Sequence, residues 1–185
     1  MTNDKSPAQS ALARFTKASD GIDHINISPQ GKTELGVLLA HFTEARFTHE
    51  YLGPFNCMEG YWYYVKTATP DDKLRSLVGK AAYQYGKGLP SIRRRCFQEI
   101  IMDGNYFKIS QNPRIKELFI ASTLPLTQYY NYGPHAIPIN PKTAPWLVQD
   151  FEELREMFKE GIQKEIVPYK EYQEVFATRK TPTHK

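Results

Sequence analysis

The chain has 185 residues, 41% of them hydrophobic, which is enough apolar material for one domain with one core. It contains no run of about 18 apolar residues that could span a bilayer and no apolar leader near its start, so we expect a cytoplasmic protein. Two cysteines and five histidines without short ligand spacing argue against a disulfide framework, a metal or a cofactor, and a net charge of +4 does not by itself indicate nucleic acid.

Polar and periodic segments divide the chain into three parts. Residues 1–20 are polar and without period, and we expect them to form a loose arm. Residues 21–165 carry helical periods and are predicted to form a mostly α-helical, compact single domain with a long aromatic loop and at most a minor strand element. Residues 166–185 are predicted to form a short helix and a disordered basic end.

The first periodic segments are short. Ile25 and Ile27 stand two apart and favour a short strand within residues 22–27. Residues 33–42 repeat leucines at helical spacing, and both a short helix and a turn are compatible with that pattern. Gly53 and Pro54 predict a turn that leads into a helix beginning near Asn56.

The helix that begins near Asn56 separates two kinds of side chain. At about 100° per residue, one face is predicted to be apolar and another to be polar. The predicted apolar stripe is Met58, Tyr61, Trp62 and Val65, and the other face carries Glu59, Tyr63 and Lys66. A carboxylate and an ammonium therefore stand two turns apart among aromatic rings.

Three further helices are predicted before residue 122. A capping Thr69, followed by proline and two acids, predicts a helix that ends near Gly86. Ser91 predicts the cap of a second helix, which runs to about Phe107 and carries the basic run 93–95 on a solvated face. An Asn-Pro pair at 112–113 predicts the start of a shorter third helix.

The stretch 123–145 is rich in proline, tyrosine and asparagine and has no clear period. Loops longer than about 15 residues are uncommon inside a domain and often act as lids or binding loops. We expect Tyr129, Tyr130 and Tyr132 to lie in such a lid, the alternative being rigid packing against the last helix. Helices at about 146–163 and 169–177 complete the pattern, and Trp146 and Arg155 are expected to be structural.

Four segments occur in an order that resembles a known family. Residues 38–42 resemble a Leu-Ser-Asn-Phe segment, and residues 57–62 with Lys66 resemble a Ser-x-Glu-x-Tyr helix with a following lysine. Residues 72–87 resemble a helix with a glycine-basic ending, and residues 108–113 resemble a Lys-Phe-x-Gln-Asn-Pro turn. This order is similar to that of the NADAR family, the N-glycosidases of riboflavin intermediates and ADP-ribose derivatives, over roughly residues 25–155.

The NADAR resemblance implies a compact helical fold, metal-free hydrolysis of a base-to-ribose N-glycosidic bond and a pocket glutamate, here Glu59. His41 stands where the family usually has asparagine. The family's Asp-x-Trp-Gly motif has no clear counterpart, and Tyr132-Gly133 is the nearest candidate. The Gly-Pro-Phe before the glutamate and the tyrosine-rich loop look closer to phage-borne versions, which would place the protein in a host cytoplasm.

The residue types suit this chemistry, because a carboxylate stabilises the oxocarbenium character that develops on ribose as the bond to the base breaks. Each candidate also has a structural alternative: a solvated Glu–Lys face, a core tryptophan, a surface lysine or a packed loop tyrosine. The candidate substrate-binding residues, for contact with phosphate or leaving group or for stacking on the base, are His41, Phe42, Trp62, Tyr63, Lys66, Lys108, Tyr130 and Tyr132.

Two functions are compatible with these residues. The first is hydrolysis of a small ADP-ribose-type nucleotide or an ADP-ribosylated nucleic acid base, with Glu59 essential, and the intact Glu59–Lys66 face favours it. The second is a non-enzymatic nucleotide-binding or host-interaction protein on the same scaffold, which His41 and the missing acidic motif favour. Transfer to another acceptor would use the same carboxylate, and the oligomeric state leaves no sequence signal.

Overall fold

The computed structural model describes residues 15–132, 137–139, 144 and 146–177. Helices dominate this part of the chain, which confirms the mostly α-helical fold. None of the described helices has the length and apolar character needed to cross a membrane. The helices are α1 (Glu34–Leu39), α2 (Met58–Lys66), α3 (Lys73–Ser76), α4 (Gly79–Lys87), α5 (Phe97–Gln111), α6 (Pro113–Ala121), α7 (Leu147–Glu160) and α8 (Tyr169–Ala177).

The described strands are short and pair two by two. The expected strand near Ile25 is β1 (Ile25–Asn26), which runs parallel to β4 (Leu126–Thr127). Strands β2 (Phe47–His49) and β3 (Gly53–Phe55) form an antiparallel hairpin, as do β5 (Tyr130–Tyr132) and β6 (Ile137–Ile139). Gly53 and Pro54 therefore lie in a strand and not in the predicted turn. Three-residue strands show too little alternation to be recognised as a period.

Helix α2 lies at the centre of the domain and packs against α3, α4 and α5. Two glycines allow this close packing. A Cβ on Gly60 would lie 2.2 Å from the carbonyl oxygen of Leu74, and one on Gly104 of α5 would lie 2.5 Å from the Tyr61 ring. Any larger side chain at either position would push α2 away from its neighbours. The buried hydrophobic side chains of α2 are Met58, Tyr61, Tyr64 and Val65.

The single helix predicted over residues 69–86 is wrong in extent. The structure has two helices there, α3 and α4, separated by the extended residues Leu77 and Val78. Gly79 follows with a φ of +52°, and a Cβ on it would lie 2.9 Å from the carbonyl oxygen of Phe42. Contact with the Phe42 segment therefore overrides the helical period, because the chain must turn at Gly79 to make room for it.

The helix predicted from residue 91 begins six residues later, at the start of α5. The basic run 93–95 therefore precedes the helix. The prediction that it forms a solvated helical face is wrong. Arg94 is buried, and its guanidinium donates hydrogen bonds to the carbonyl oxygens of Val65 and Thr67 at 2.5 and 2.7 Å. Those carbonyls lie at the C-terminal end of α2, so Arg94 satisfies acceptors that the helix itself leaves unpaired.

The last three helices lie close to their predicted positions. Helix α6 begins at the predicted proline, and α8 covers the predicted range 169–177. Helix α7 ends earlier than predicted, because Gly161 adopts the left-handed conformation that caps its C-terminus. Ile162, predicted to point inward, lies beyond that cap and is 50% exposed.

A buried polar network attaches α8 to the domain. The hydroxyl of Tyr172, which is fully buried, donates to Asp103 Oδ2 at 2.5 Å and lies 2.8 Å from His49 Nε2. His49 Nδ1 accepts the backbone N–H of Tyr51 at 3.1 Å, so Nε2 carries the proton and donates to Tyr172. Lys164 also donates to Asp103. One hydroxyl thus joins α8 to α5 and β2.

We predict that Tyr172→Phe lowers the free energy of unfolding by about 1–3 kcal/mol, because it leaves His49 Nε2 without its buried partner and removes one of the hydrogen bonds that Asp103 accepts. Tyr169→Phe is the matched control on the same helix, since Tyr169 is 51% exposed, and a change within about 0.5 kcal/mol is expected there. Urea denaturation of the three proteins measures the difference. Equal stabilities of the two variants would show that the network contributes nothing.

Candidate functional site

One face of α2 presents a set of half-buried side chains at helical spacing. Glu59, Trp62, Tyr63 and Lys66 stand at positions i, i+3, i+4 and i+7, and all four are half-buried. Trp62 thus leaves the predicted apolar stripe, and Tyr64 occupies the core instead. The predicted face with Glu59, Tyr63 and Lys66 is present, and it also includes the indole of Trp62.

The electrostatics of this face centre on Glu59. Burial raises the pKa of its carboxyl to about 7, and the charge of Lys66 opposes the rise. Burial, with Glu59 nearby, also raises the pKa of Tyr63 to about 12, so the phenol stays protonated at neutral pH. The Lys66 ammonium lies 5.7 Å from the centroid of the Tyr63 ring. A carboxyl that titrates near neutrality can act either as an acid or as a base.

The turn after α1 brings His41 and Phe42 to the same face. The backbone N–H of Glu59 donates to the His41 carbonyl oxygen at 2.9 Å, and the imidazole centroid lies 5.8 Å from that of Trp62. Burial, and then the Lys108 charge, lower the pKa of His41 to about 3, so its imidazole is neutral. The half-buried Phe42 has its ring 6.0 Å from Tyr83 on α4.

Lys108, a predicted substrate contact, is fully buried on α5. Its ammonium donates to the carbonyl oxygens of Leu39 and Ala40 at 3.2 and 3.0 Å, and burial lowers its pKa to about 7. The structure therefore places Lys108 behind the His41 turn, where it holds the backbone that carries His41. This position supports the site from within.

A basic cleft of about 350 Å³ adjoins the α2 face, and Lys66 belongs to both. Trp146 also lines it and stacks on Trp62, with ring centroids 5.9 Å apart and planes 13° from parallel. Arg93 is exposed on the cleft wall, whereas Arg95 pairs with Glu171. The sequence interpretation placed the arginine run on a solvated face and expected Trp146 to be structural. Their meeting at the end of α2 is a tertiary contact, which leaves no local pattern.

Asn105 on α5 is a second site residue that the sequence interpretation missed. It is fully buried, and neither its Oδ1 nor its Nδ2 has a hydrogen-bond partner among the described residues. The amide is close enough to raise the pKa of His41, against the larger effect of burial, without reaching hydrogen-bond geometry. The available signal was its place between Ile101 and Ile109, which put a polar residue on the inward face of α5.

The loop tyrosines occupy different environments. Tyr129 is 1% exposed, and its hydroxyl lies 2.9 Å from His24 Nε2, so it packs inside the domain. Tyr130 is half-buried in β5, and Tyr132 ends the same strand. The lid predicted for 123–145 includes residues 133–136, 140–143 and 145, and the Tyr132 side chain, all of which lie outside the described part of the structure.

Among the described residues, no group of three or more side chains that could hold a metal ion occurs.

Comparison with known proteins supports the fold. No family model matches the chain. GLH-binding kinase 1 of Caenorhabditis elegans is 38% identical over 52 residues, which are 28% of this chain and 13% of the kinase, so the chain spans only a small part of that protein. The NMR structure of the E. coli protein YbiA matches with a TM-score of 0.54 at 16% identity, covering 80% of this chain and 95% of YbiA. The likeness to YbiA shows the overall fold.

We predict a pH-dependent stability difference between the wild type and Glu59→Gln. From pH 4.5, the ordinary carboxyl value, to about 7, the unfolded carboxyl is ionised and the folded one protonated. The wild type therefore loses stability relative to the variant as the pH rises through this window, by on the order of 3 kcal/mol, and the difference is constant above it.

Urea denaturation at several pH values measures this difference, with the exposed Glu160→Gln as control. A difference that stays flat from pH 4.5 to 7 would show that burial does not raise the pKa of Glu59.

Proposed function

We propose that the chain is an N-glycosidase-like hydrolase that cleaves the base–ribose bond of an ADP-ribose-type nucleotide or an ADP-ribosylated nucleobase. The observation that carries the proposal is the carboxyl of Glu59, whose pKa is about 7, on one helical face with Trp62 and Lys66 and beside a basic cleft. The substrate is a small nucleotide or a modified nucleic acid, and the protein acts in the cytoplasm, a host's if it is phage-borne.

The reaction needs a carboxylate more than any other group. As the bond from C1′ to the base nitrogen breaks, its electron pair leaves with the base and positive charge develops on the ribose. Ionised Glu59 stabilises that charge and accepts a proton from the water whose oxygen bonds to C1′. The low local dielectric that raises the pKa of Glu59 also strengthens its attraction for the cation.

The remaining side chains match the other parts of such a substrate. Lys66 and Arg93 supply two positive charges on the cleft for phosphate groups. Trp62 offers an indole face beside Glu59 on which a planar base can stack. The half-buried Phe42, Tyr63 and Tyr130 are proposed to line the same region, and Lys108 supports it from behind through the His41 turn.

Two likenesses agree with this proposal. The sequence resembles the NADAR family at Glu59 and at the lysine two turns later. The fold is similar to that of YbiA, which is itself a protein of that family. At 16% identity the structural likeness supports the scaffold, and the chemistry is supported by the residues of the α2 face.

A non-enzymatic nucleotide-binding or host-interaction protein is the second candidate, favoured by His41 in place of the family's asparagine. Such a protein would bind the same nucleotide through the basic cleft and release no base. Transfer of the ribosyl group to an acceptor other than water is a third outcome, which uses the same carboxylate.

We predict that Glu59→Gln lowers kcat for base release at least about 100-fold and leaves the fold intact, because it removes the charge and keeps the shape. The kcat/KM of the wild type should rise with pH through about 7, since the ionised carboxyl is the active form. Chromatography of bases released from an ADP-ribosylated oligonucleotide and from a ribosylated riboflavin precursor measures both. Full turnover by the variant would exclude Glu59, and binding without base release by the wild type would establish the second candidate.

We predict that Arg93→Gln and Lys66→Gln each raise KM about tenfold, since each removes one charge from the cleft. Lys66→Gln should also move the pH midpoint of kcat/KM upward, because Lys66 lowers the pKa of Glu59. Arg93→Gln should leave that midpoint in place. Lys116→Gln, an exposed change on α6, is the charge-matched control. Equal KM values for all three variants would contradict phosphate binding in the cleft.

A further inference from the structure

The amide of Asn105 has a hydrogen-bonding capacity that the fold does not use. It is fully buried on α5, and both of its polar atoms lack a partner among the described residues. Leaving a buried amide unpaired costs about 1–3 kcal/mol, and native proteins rarely retain such a group without a role. An apolar side chain of similar size would fill the position without that penalty.

His41 is the second member of this unpaired cluster. Its Nε2 is also buried without a partner among the described residues, and its imidazole faces the Trp62 ring at 5.8 Å. The nearby Lys108 ammonium already donates hydrogen bonds to the carbonyl oxygens of Leu39 and Ala40. The atoms left to bind a ligand therefore belong to a neutral imidazole and a neutral amide, which together offer both donors and acceptors.

We propose that Asn105 and His41 form a specificity pocket for the base that is released from the substrate. The pocket recognises the amide edge of that base, which is a carbonyl group with an adjacent N–H. This proposal rests on the proposed N-glycosidase function and names the substrate class of the same site. Bases of this class carry either an exocyclic carboxamide or a ring lactam.

The chemistry of the pair favours a base edge over the other parts of a nucleotide. A side-chain amide presents a donor and an acceptor side by side, which matches a base edge in two hydrogen bonds. The Lys108 ammonium near the pair already donates to two carbonyl oxygens, whereas the cleft offers a phosphate the charges of Lys66 and Arg93. Trp62 lies beside His41, and a planar base can stack on its indole ring.

Entry of the base requires the imidazole of His41 to swing aside. No hydrogen bond to Nε2 from the described residues opposes this movement. His41 is half-buried whereas Asn105 is fully buried, and under this proposal the imidazole separates the amide from the solvent. A base that replaces the imidazole contact therefore pairs the amide and removes the penalty of leaving it unpaired, which makes recognition selective for bases with an amide edge.

The first experiment measures binding and needs no turnover. Calorimetric titration of the wild type compares nicotinamide with 3-methylpyridine, which lacks the carboxamide, and hypoxanthine with purine, which lacks the lactam. We expect at least tenfold tighter binding of the amide-bearing member in one pair. The nicotinamide pair reports the carboxamide class and the hypoxanthine pair the lactam class. Equal affinity within both pairs, or no binding, would overturn the proposal.

The second experiment uses Asn105→Leu, with Asn112→Leu as its matched control. Asn112 stands at the end of the same helix, and its amide is already paired with the carbonyls of Arg46 and Lys108. We expect Asn105→Leu to abolish the preference for the amide edge and to keep or raise Tm. Asn112→Leu should lower Tm and keep the preference. A purely structural Asn105 would show the reverse, a lower Tm with the preference intact.

These outcomes separate the pocket from the reaction. Selective binding that Asn105→Leu abolishes, in a wild type that releases no base, would leave the pocket standing and remove the hydrolase. Base release that depends on Glu59, in a wild type that binds both members of each pair with equal affinity, would leave the hydrolase and remove the pocket.

Discussion

The site depends on one buried cation. Lys108 carries its ammonium into the interior and satisfies it with the carbonyl oxygens of Leu39 and Ala40, which sets the backbone of the turn that follows α1. That turn presents the His41 carbonyl to the backbone N–H of Glu59. Because burying an ammonium is unfavourable unless it is fully hydrogen-bonded, the turn has little freedom to move while Lys108 stays in place. The start of α2, where Glu59 lies, is therefore held in place by a side chain of α5.

The interior polarity of α5 explains why this arrangement is hard to recognise. The helix buries three polar side chains, and each faces a different part of the molecule: Asp103 holds α8, Asn105 lies beside His41, and Lys108 holds the turn after α1. Buried polar groups on an inward face erase the usual separation of apolar and polar sides. A helix with this pattern joins the C-terminal helix to the candidate site through its own rigid backbone.

Neutral and positively charged side chains occupy different parts of the candidate site. The neutral imidazole of His41 lies near the amide of Asn105, while Lys66 and Arg93 line the cleft. A nucleotide has the same polarity, with an uncharged base at one end and phosphate at the other. Under the proposed function, the carboxyl of Glu59, with its pKa near neutrality, acts on the bond between base and ribose.

The amino-acid sequence alone determined the mostly helical fold, the last three helices and the polar face of α2, because a period of 3.6 residues and proline or glycine at helix ends act over a few neighbouring residues. Tertiary structure decided the rest. The helix expected at 69–86 breaks where Phe42 meets Gly79, and the arginine run leaves the helix because Arg94 caps α2. Asn105 became a site residue only when α5 brought it to His41, since contacts between residues more than 60 positions apart leave no local pattern.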